Sequence, residues 1–274
     1  MKLLSWNCRG FARATAVRTL RALCRIHNPD VIFLCETKVP LFEAHNPLAR
    51  MGFPLILQVP SVGLKGGLLI ACKLGTDIEP VVLNRHQISF LVFSDPTSTP
   101  WQITCAHAPS AGADRDDFWK LLADTGDRFR GSWLLIGDFN AILSSDEKQG
   151  GRNFGSSSHN VFVDFVHSNG LVDLGFSGNP FTWSNKRQGI HNIKERLDRG
   201  LSNHEWIIMF PNALVTHLPA TVSDHSPLLL STNCDRPRLP KPFKFEEFWT
   251  RDLSSHTVIA TAWSHSLMDR LPSL

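Results

Sequence analysis

Short apolar runs recur along the chain at Lys2–Trp6, Val31–Cys35, Leu68–Lys73, Ile88–Phe93, Trp101–Ala106, Trp133–Ile136, Ala213–His217 and Leu228–Leu230. Each has strand length and carries β-branched or aromatic residues, so each predicts a strand buried on at least one face. Helical spacing appears between some of them. Residues 12–27 place Val17, Leu20, Leu23 and Cys24 three and four apart, and Asn28-Pro29 ends the pattern. Residues 114–130 set Phe118, Leu121, Leu122 and Phe129 on one face behind acids in the first turn. Residues 158–168 repeat this with Val161, Phe162, Phe165 and Val166, stopped by Asn169-Gly170. Strands and helices mixed over one length predict an α/β or α+β domain with mixed sheets. Near Cys234 the composition turns proline-rich and basic, which predicts a body over 1–233 and an extended linker opening a truncated segment over 234–274.

Composition narrows the classes. The hydrophobic set reaches 42% and the net charge is only +3, so the chain is neither disordered nor a carrier that binds nucleic acid by bulk charge. No run approaches 18 apolar residues and the N-terminus lacks a secretory apolar core, so neither a membrane span nor a signal is expected. Six scattered cysteines without a CxxC pair read as free core thiols in a reducing compartment, nucleus or cytoplasm.

Five short groups carry candidate chemistry. Gly137-Asp138-Phe139-Asn140 follows a strand; alone it reads as a turn, since Gly, Asp and Asn are turn formers. Ser223-Asp224-His225 reads as a cap or as an acid and imidazole serving a metal and a phosphate. Asn7 and Glu36 each end a strand, and Glu36 could merely pair with Lys38. Arg196-Leu197-Asp198-Arg199 alone is an exposed charge run.

In order, WNCRG, ET, GDFN, RLDR and SDH resemble the signature blocks of the endonuclease/exonuclease/phosphatase superfamily. GDFNAIL with Glu147-Lys148 and Gly150-Gly151, then GNPFTWSN, RLDRGLSN and FKFEEFW, is similar to the endonuclease region of plant LINE-type (non-LTR) retrotransposon polyproteins. The resemblance implies an α/β (α+β) four-layer sandwich, two face-to-face mixed β-sheets flanked by helices. It implies phosphodiester hydrolysis with Mg²⁺, or Mn²⁺ in its place, on a DNA substrate nicked in one strand. In a full-length relative a reverse transcriptase follows in the same chain.

Residue by residue, the resemblance makes Glu36 the main metal carboxylate, with Asn7 beside it and Asp224 as a second metal-site acid. Asp138 would orient or deprotonate the attacking water, and Asn140 would hold a phosphate oxygen as a neutral donor. His225 would contact the scissile phosphate, with Asp198 fixing its tautomer. Many relatives carry a Tyr before the second helix, whereas this chain has none and reads Cys105-Ala106-His107-Ala108-Pro109-Ser110. Secreted DNases are similar at this block, which implies His107 as the general acid; decay of the position is the alternative. Arg9 also replaces an acid found in abasic-site nucleases, as in LINE-type relatives.

DNA contacts are expected from Lys38, Arg152, Lys186, Arg187, Lys194, Arg196 and Arg199, in or beside the loops bearing these blocks. Thr182-Trp183-Ser184 predicts a hairpin with a buried Trp, and Arg13, Arg18, Arg21 and Arg25 a solvated helix face. Two alternatives stand beside the endonuclease: the same core acting on another phosphodiester or phosphomonoester, and a decayed, non-catalytic nucleic-acid-binding remnant.

Overall fold

The computed structural model describes residues 1–63, 65–110, 114–151 and 161–234, with 255–257 and 260–261 beyond them. The elements in chain order are β1 (Lys2–Asn7), α1 (Ala14–His27), β2 (Val31–Cys35), α2 (Leu41–Ala49), β3 (Leu55–Val59), β4 (Leu68–Cys72), β5 (Ile78–Asn84), β6 (Gln87–Val92) and β7 (Trp101–His107). They continue with α3 (Asp114–Arg128), β8 (Trp133–Asp138), β9 (Lys148–Gln149), α4 (Val161–Ser168), β10 (Val172–Asp173), β11 (Ser177–Gly178), β12 (Trp183–Ser184) and β13 (Lys194–Glu195). β14 (Asp198–Ser202), α5 (His204–Met209), β15 (Leu214–His217) and β16 (Leu228–Ser231) complete them. The chain divides into two compact units, Met1–Asp235 and Arg236–Leu274, and all of these elements lie in the first. No helix among the described residues is long and apolar enough to cross a membrane.

One sheet has seven strands in the order β11-β15-β16-β1-β2-β4-β3, the other six in the order β10-β14-β8-β7-β6-β5. Both are mixed: β1 runs parallel to β2 and β7 parallel to β8, while their other neighbours are antiparallel. Alternation along continuous apolar runs explains the layering, because a strand covered on both faces needs apolar residues at both parities. Leu3, Val31, Phe33 and Ile70 meet Phe90, Ile103, Leu134 and Ile136 between the sheets. Leu4, Ile32, Leu34 and Leu69 turn outward onto Ala16 and Leu20 of α1 and Ala44 and Leu48 of α2. Leu135 and Leu201 of the second sheet pack beneath Phe118, Trp119 and Leu122 of α3 and Phe162 and Phe165 of α4. The result is the four-layer sandwich with flanking helices that the sequence led us to expect.

The differences have local causes. Strand β8 runs on to Asp138 and β7 to His107, beyond the apolar runs that signalled them. Helix α2 contains Pro47, which hides it from periodicity. Strand β5 is half-polar and carries Pro80 beside a bulge, as an edge strand tolerates. The run at 196–199 is not an exposed charge face: β14 is buried along its whole length. The expected start of the fourth-layer helix at 158–160 lies outside the described residues. All six cysteines are free, and burial pushes the Cys8 and Cys72 thiols up to about 12, so they serve as packing groups.

Gly137 is a position where glycine is required. Its φ is +149°, and a Cβ there would meet the Ala106 carbonyl oxygen at 2.0 Å, so β7 and β8 close only over a bare backbone. Gly170, with φ +59°, has open space around its Cβ position. Gly137→Ala is therefore expected to cost about 3 kcal/mol or more, and Gly170→Ala about 1 kcal/mol, by urea unfolding. Equal costs would refute the close approach.

Candidate functional site

Strand pairing, not sequence proximity, assembles the site. Parallel pairing of β1 with β2 sets Asn7 beside Cys35, so Glu36, the next residue, leaves the sheet at the same edge. Parallel pairing of β7 with β8 sets His107 against Asp138, and antiparallel pairing of β14 with β8 sets Asp198 against Asp138. The Asn7 side-chain amide bridges the two sheets, donating to Asp138 Oδ2 at 2.9 Å and to Glu36 Oε1 at 3.4 Å. Its oxygen accepts from the Arg9 backbone N–H at 3.2 Å, which fixes the amide's orientation. Ser223 Oγ donates to the Asn7 carbonyl at 2.7 Å and accepts from His225 N–H at 3.2 Å, tying the SDH loop to the end of β1.

Within GDFN the residues alternate by task. Phe139 is fully buried and stacks against Phe162, so its neighbours turn the other way. Asp138 Oδ1 accepts from Asn140 N–H at 3.0 Å, and the Asn140 amide donates to the Ala108 carbonyl at 2.8 Å. Four of the six non-glycine residues with positive φ among those described, Arg9, Glu36, Lys38 and Asn140, lie around this cleft. Left-handed backbone at non-glycine residues stores strain, and functional sites are where such strain gathers. The Glu36 turn is held from outside by Gly66 and Gly67, whose carbonyls accept from Lys38 and Thr37 N–H, each at 3.2 Å. No sequence motif pointed to that support.

The imidazole and acids form a buried relay. His225 Nδ1 lies 2.9 Å from Asp198 Oδ2 and 3.6 Å from Asp138 Oδ2. Burial disfavours the imidazolium, but Asp198, Asp138 and Asp224 outweigh it and hold His225 up to about 9. Burial, then the neighbouring Asp138 charge, raises Asp198 above its ordinary value against the opposing pull of His225. His107 Nε2 sits between the two sheets' acids, 3.7 Å from Glu36 Oε1 and 3.8 Å from Asp138 Oδ2. Burial acts to raise Glu36, yet Lys38 at 3.0 Å, His107 and Arg9 at 3.6 Å hold it below its ordinary value. Asp224, opposed in the same way by burial, is held down by His225, by the Trp183 indole N–H at 3.0 Å and by Arg9, which pairs with it directly.

Two places could take a cation. Asp138, Asp198 and His225 present ligand atoms within 4.8 Å of one another, but all three are buried and Nδ1 of His225 is committed to Asp198. Glu36 and Asp224 instead keep 19% and 14% of their side chains exposed and are bridged by the Arg9 guanidinium. A hard cation that retains water fits that open, oxygen-bearing position; the closed trio suits proton handling.

Of the residues expected to touch DNA, Lys38 lies in the cleft, while Lys186 and Arg187 are exposed on the loop between β12 and β13. Arg152 lies outside the described residues. Arg196 and Arg199 contradict the expectation. Both are buried and bind Glu147 at 3.0 and 2.6 Å and Asp173 at 2.8 and 3.0 Å, which holds Asp173 down to about 2 despite its burial. Buried guanidiniums already paired with carboxylates are out of reach of a phosphate on the surface. Trp183 is half-buried and acts by donating to Asp224.

A sandwich of two mixed sheets whose strand ends gather acids, amides and imidazoles is the architecture of one large class of enzymes. The family model described as Endonuclease/Exonuclease/phosphatase matches residues 4–225, and this chain belongs to that family. No curated protein matches it in sequence. Among solved structures, the AP endonuclease LMAP of Leishmania major is similar at 16% identity and TM-score 0.66, over 84% of this chain and 86% of that one. The endonuclease domain of TRAS1, a telomere-specific non-LTR retrotransposon, is similar at 13% identity and TM-score 0.65, over 86% and 99%. The Neisseria 3′ phosphatase NExo, bound to a product DNA hairpin, is similar at 17% identity and TM-score 0.65, over 84% and 98%. At these identities the likeness is one of fold.

The relay makes a direct prediction. With chelator present, the His225 ring should titrate near 9 by NMR, and Asp198→Asn should move it down toward or below about 6.5, because burial remains while the charge is removed. A raised folded value also means that the stability contributed by this group is complete below about pH 6.5 and declines as pH rises through 9. An unshifted ring in Asp198→Asn would contradict the relay.

Proposed function

We propose that this chain is a divalent-metal-dependent DNA endonuclease that nicks one strand, leaving 3′-hydroxyl and 5′-phosphate ends, with residues 1–233 as its catalytic body. The observation that carries this reading is the buried Asp198–His225–Asp138 relay set beside the open carboxylates Glu36 and Asp224, with Asn7 joining the sheets between them. Membership of the family and a fold shared with a retrotransposon endonuclease domain support it.

Glu36 and Asp224 would hold Mg²⁺, or Mn²⁺ in its place, which when bound would supply Lewis-acid stabilisation to a phosphoryl oxygen. Arg9 leaves its bridge between these acids and becomes free to meet a phosphate. Asp138 orients the attacking water and accepts its proton, while Asn7 keeps that carboxylate facing the cleft. His225, charged and fixed through Nδ1 by Asp198, donates from Nε2 to the non-bridging oxygen on which charge grows. Asn140 holds a phosphate oxygen without adding negative charge. His107, at the edge shared by both sheets, protonates the departing 3′-oxygen in the place where relatives carry Tyr. The order and spacing of the blocks support a LINE-type origin, with a reverse transcriptase following in the intact polyprotein.

Purified full-length chain is expected to nick supercoiled plasmid with Mg²⁺ and not with EDTA. Glu36→Ala, Asp138→Ala and His225→Ala should each slow nicking by about 100-fold or more. His107→Ala should slow it by about 100-fold, and His107→Tyr should restore part of the rate, because a phenol can also donate a proton to the leaving oxygen. Folded protein that leaves plasmid intact but releases phosphate from 3′-phosphorylated ends would turn the assignment to a phosphatase.

A further inference from the structure

The first helix carries charge that neither the catalytic site nor the fold uses. Helix α1 has no acidic residue in its first turn or anywhere along ATAVRTLRALCRIH. Its buried residues, Ala16 and Leu20, face the first sheet, while Arg18, Arg21 and Arg25 are exposed. Spacings of three and four put these arginines on one stripe, where like charges repel at about 0.2–0.5 kcal/mol per pair. Arg25 is favoured by the helix C-terminus, but that effect fades beyond the last turn and leaves Arg18 and Arg21 unexplained. None of the three has an ion-pair partner among the described residues.

The stripe leads into a depression of about 220 Å³ at the end of α1, lined by Arg21, Arg25, Arg50 and Lys73 over Phe53 and Met51. Lys73 donates to Asn28 and lies 3.7 Å from Asp30; Arg50 has no ion-pair partner among the described residues. Pairing places this depression far from the cleft. Lys73 follows Cys72, which registers with Val31 at the start of β2, whereas Glu36 follows the end of β2. Helix α1 itself spans about 21 Å between the two, from the Arg13 side chain, bonded to the Cys8 carbonyl, to Asn28.

We infer that the Arg18–Arg21–Arg25 stripe with Arg50 is a second nucleic-acid surface, which holds the phosphates of duplex DNA outside the catalytic cleft. Arg18 and Arg25 are about 10 Å apart along the helix axis, close to the axial rise of about three phosphates on one strand of a duplex. A lipid surface is a poorer match. The apolar face of α1 is spent on the core, and the exposed apolar groups beside the patch are two single side chains, Ile26 and Leu74. The preference for nucleic acid over other polyanions rests on the endonuclease reading, while the surface itself is tested apart from catalysis.

The test compares full-length protein with the variant Arg18→Gln/Arg21→Gln/Arg25→Gln/Arg50→Gln, using anisotropy of a labelled 30-base-pair duplex in EDTA across a salt series. Each phosphate that the protein no longer neutralises lowers the slope of log affinity on log salt by about 0.9. The variant's slope should therefore fall by about 2 to 4, and its affinity at about 0.1 M salt by at least about 10-fold. The four Arg→Lys changes should restore both, and the nicking rate at saturating plasmid should stay within about 2-fold of the parent. An unchanged slope and affinity would overturn the surface, as would loss of binding to phosphatidylserine vesicles with duplex binding intact. Reduced slope in the variant with no nicking by either protein would leave the surface standing and remove the endonuclease.

Discussion

Everything at the edge where the two sheets' strand ends meet follows from crowding carboxylates. Register sets Asp138 opposite Asp198 on neighbouring strands, and the facing sheet brings Glu36 to the same edge. Acids this close, removed from water, repel one another strongly and must be neutralised by a proton, a base or a cation. The protein answers differently in depth and at the surface. In depth an imidazolium on His225 sits between Asp198 and Asp138, and a neutral amide from Asn7 spans the gap. At the surface Arg9 and Lys38 balance Glu36 and Asp224. The first arrangement is closed; the second is open to solvent along Glu36 and Asp224.

A second charged core stands behind this one. Glu147, Asp173, Arg196 and Arg199 pair with one another in a buried network, reinforced by Arg199 over the Phe162 ring at 5.3 Å and Arg196 over Phe176 at 4.5 Å. It ties the segment after GDFN to β14, whose first residue is Asp198. The adjoining three-stranded ribbon, β12-β13-β9, is pinned by Lys148 to Glu195 at 2.7 Å and by close approach of Gly150 to the Asn192 carbonyl. Trp183 in that ribbon then reaches Asp224. The residues of the EKxGG and FTWSN blocks thus act as a buttress behind Asp224 and Asp198.

The legibility of the fold followed burial. Strands covered on both faces are continuous apolar runs, and the runs agree with them to within two residues at either end. The short strands β9 to β13 and the proline-bearing α2 have no such run, because hydrogen bonds and single contacts, not a continuous apolar face, hold them in place. The five chemical blocks were legible only as an ordered set; singly, GDFN is a turn and RLDR a charge run. Ala108 and Gly66, which support Asn140 and the Glu36 turn through their carbonyls, left no side-chain signal to find.

By itself the sequence determined the mixed α/β class and the identity of the acids, amides and imidazoles, since apolar periodicity and residue chemistry are local properties; the four layers came from the ordered blocks and the resemblance they carry. Only the tertiary structure decided which charges face the cleft and which are sealed into the fold. Arg196 and Lys38 look alike in a chain, each beside an acid, but one is sealed against Glu147 and Asp173 and the other opens onto the cleft. Whether a charge is buried and paired depends on distant partners, for Arg196 those 49 and 23 residues away, brought in by strand register, and no local pattern encodes that.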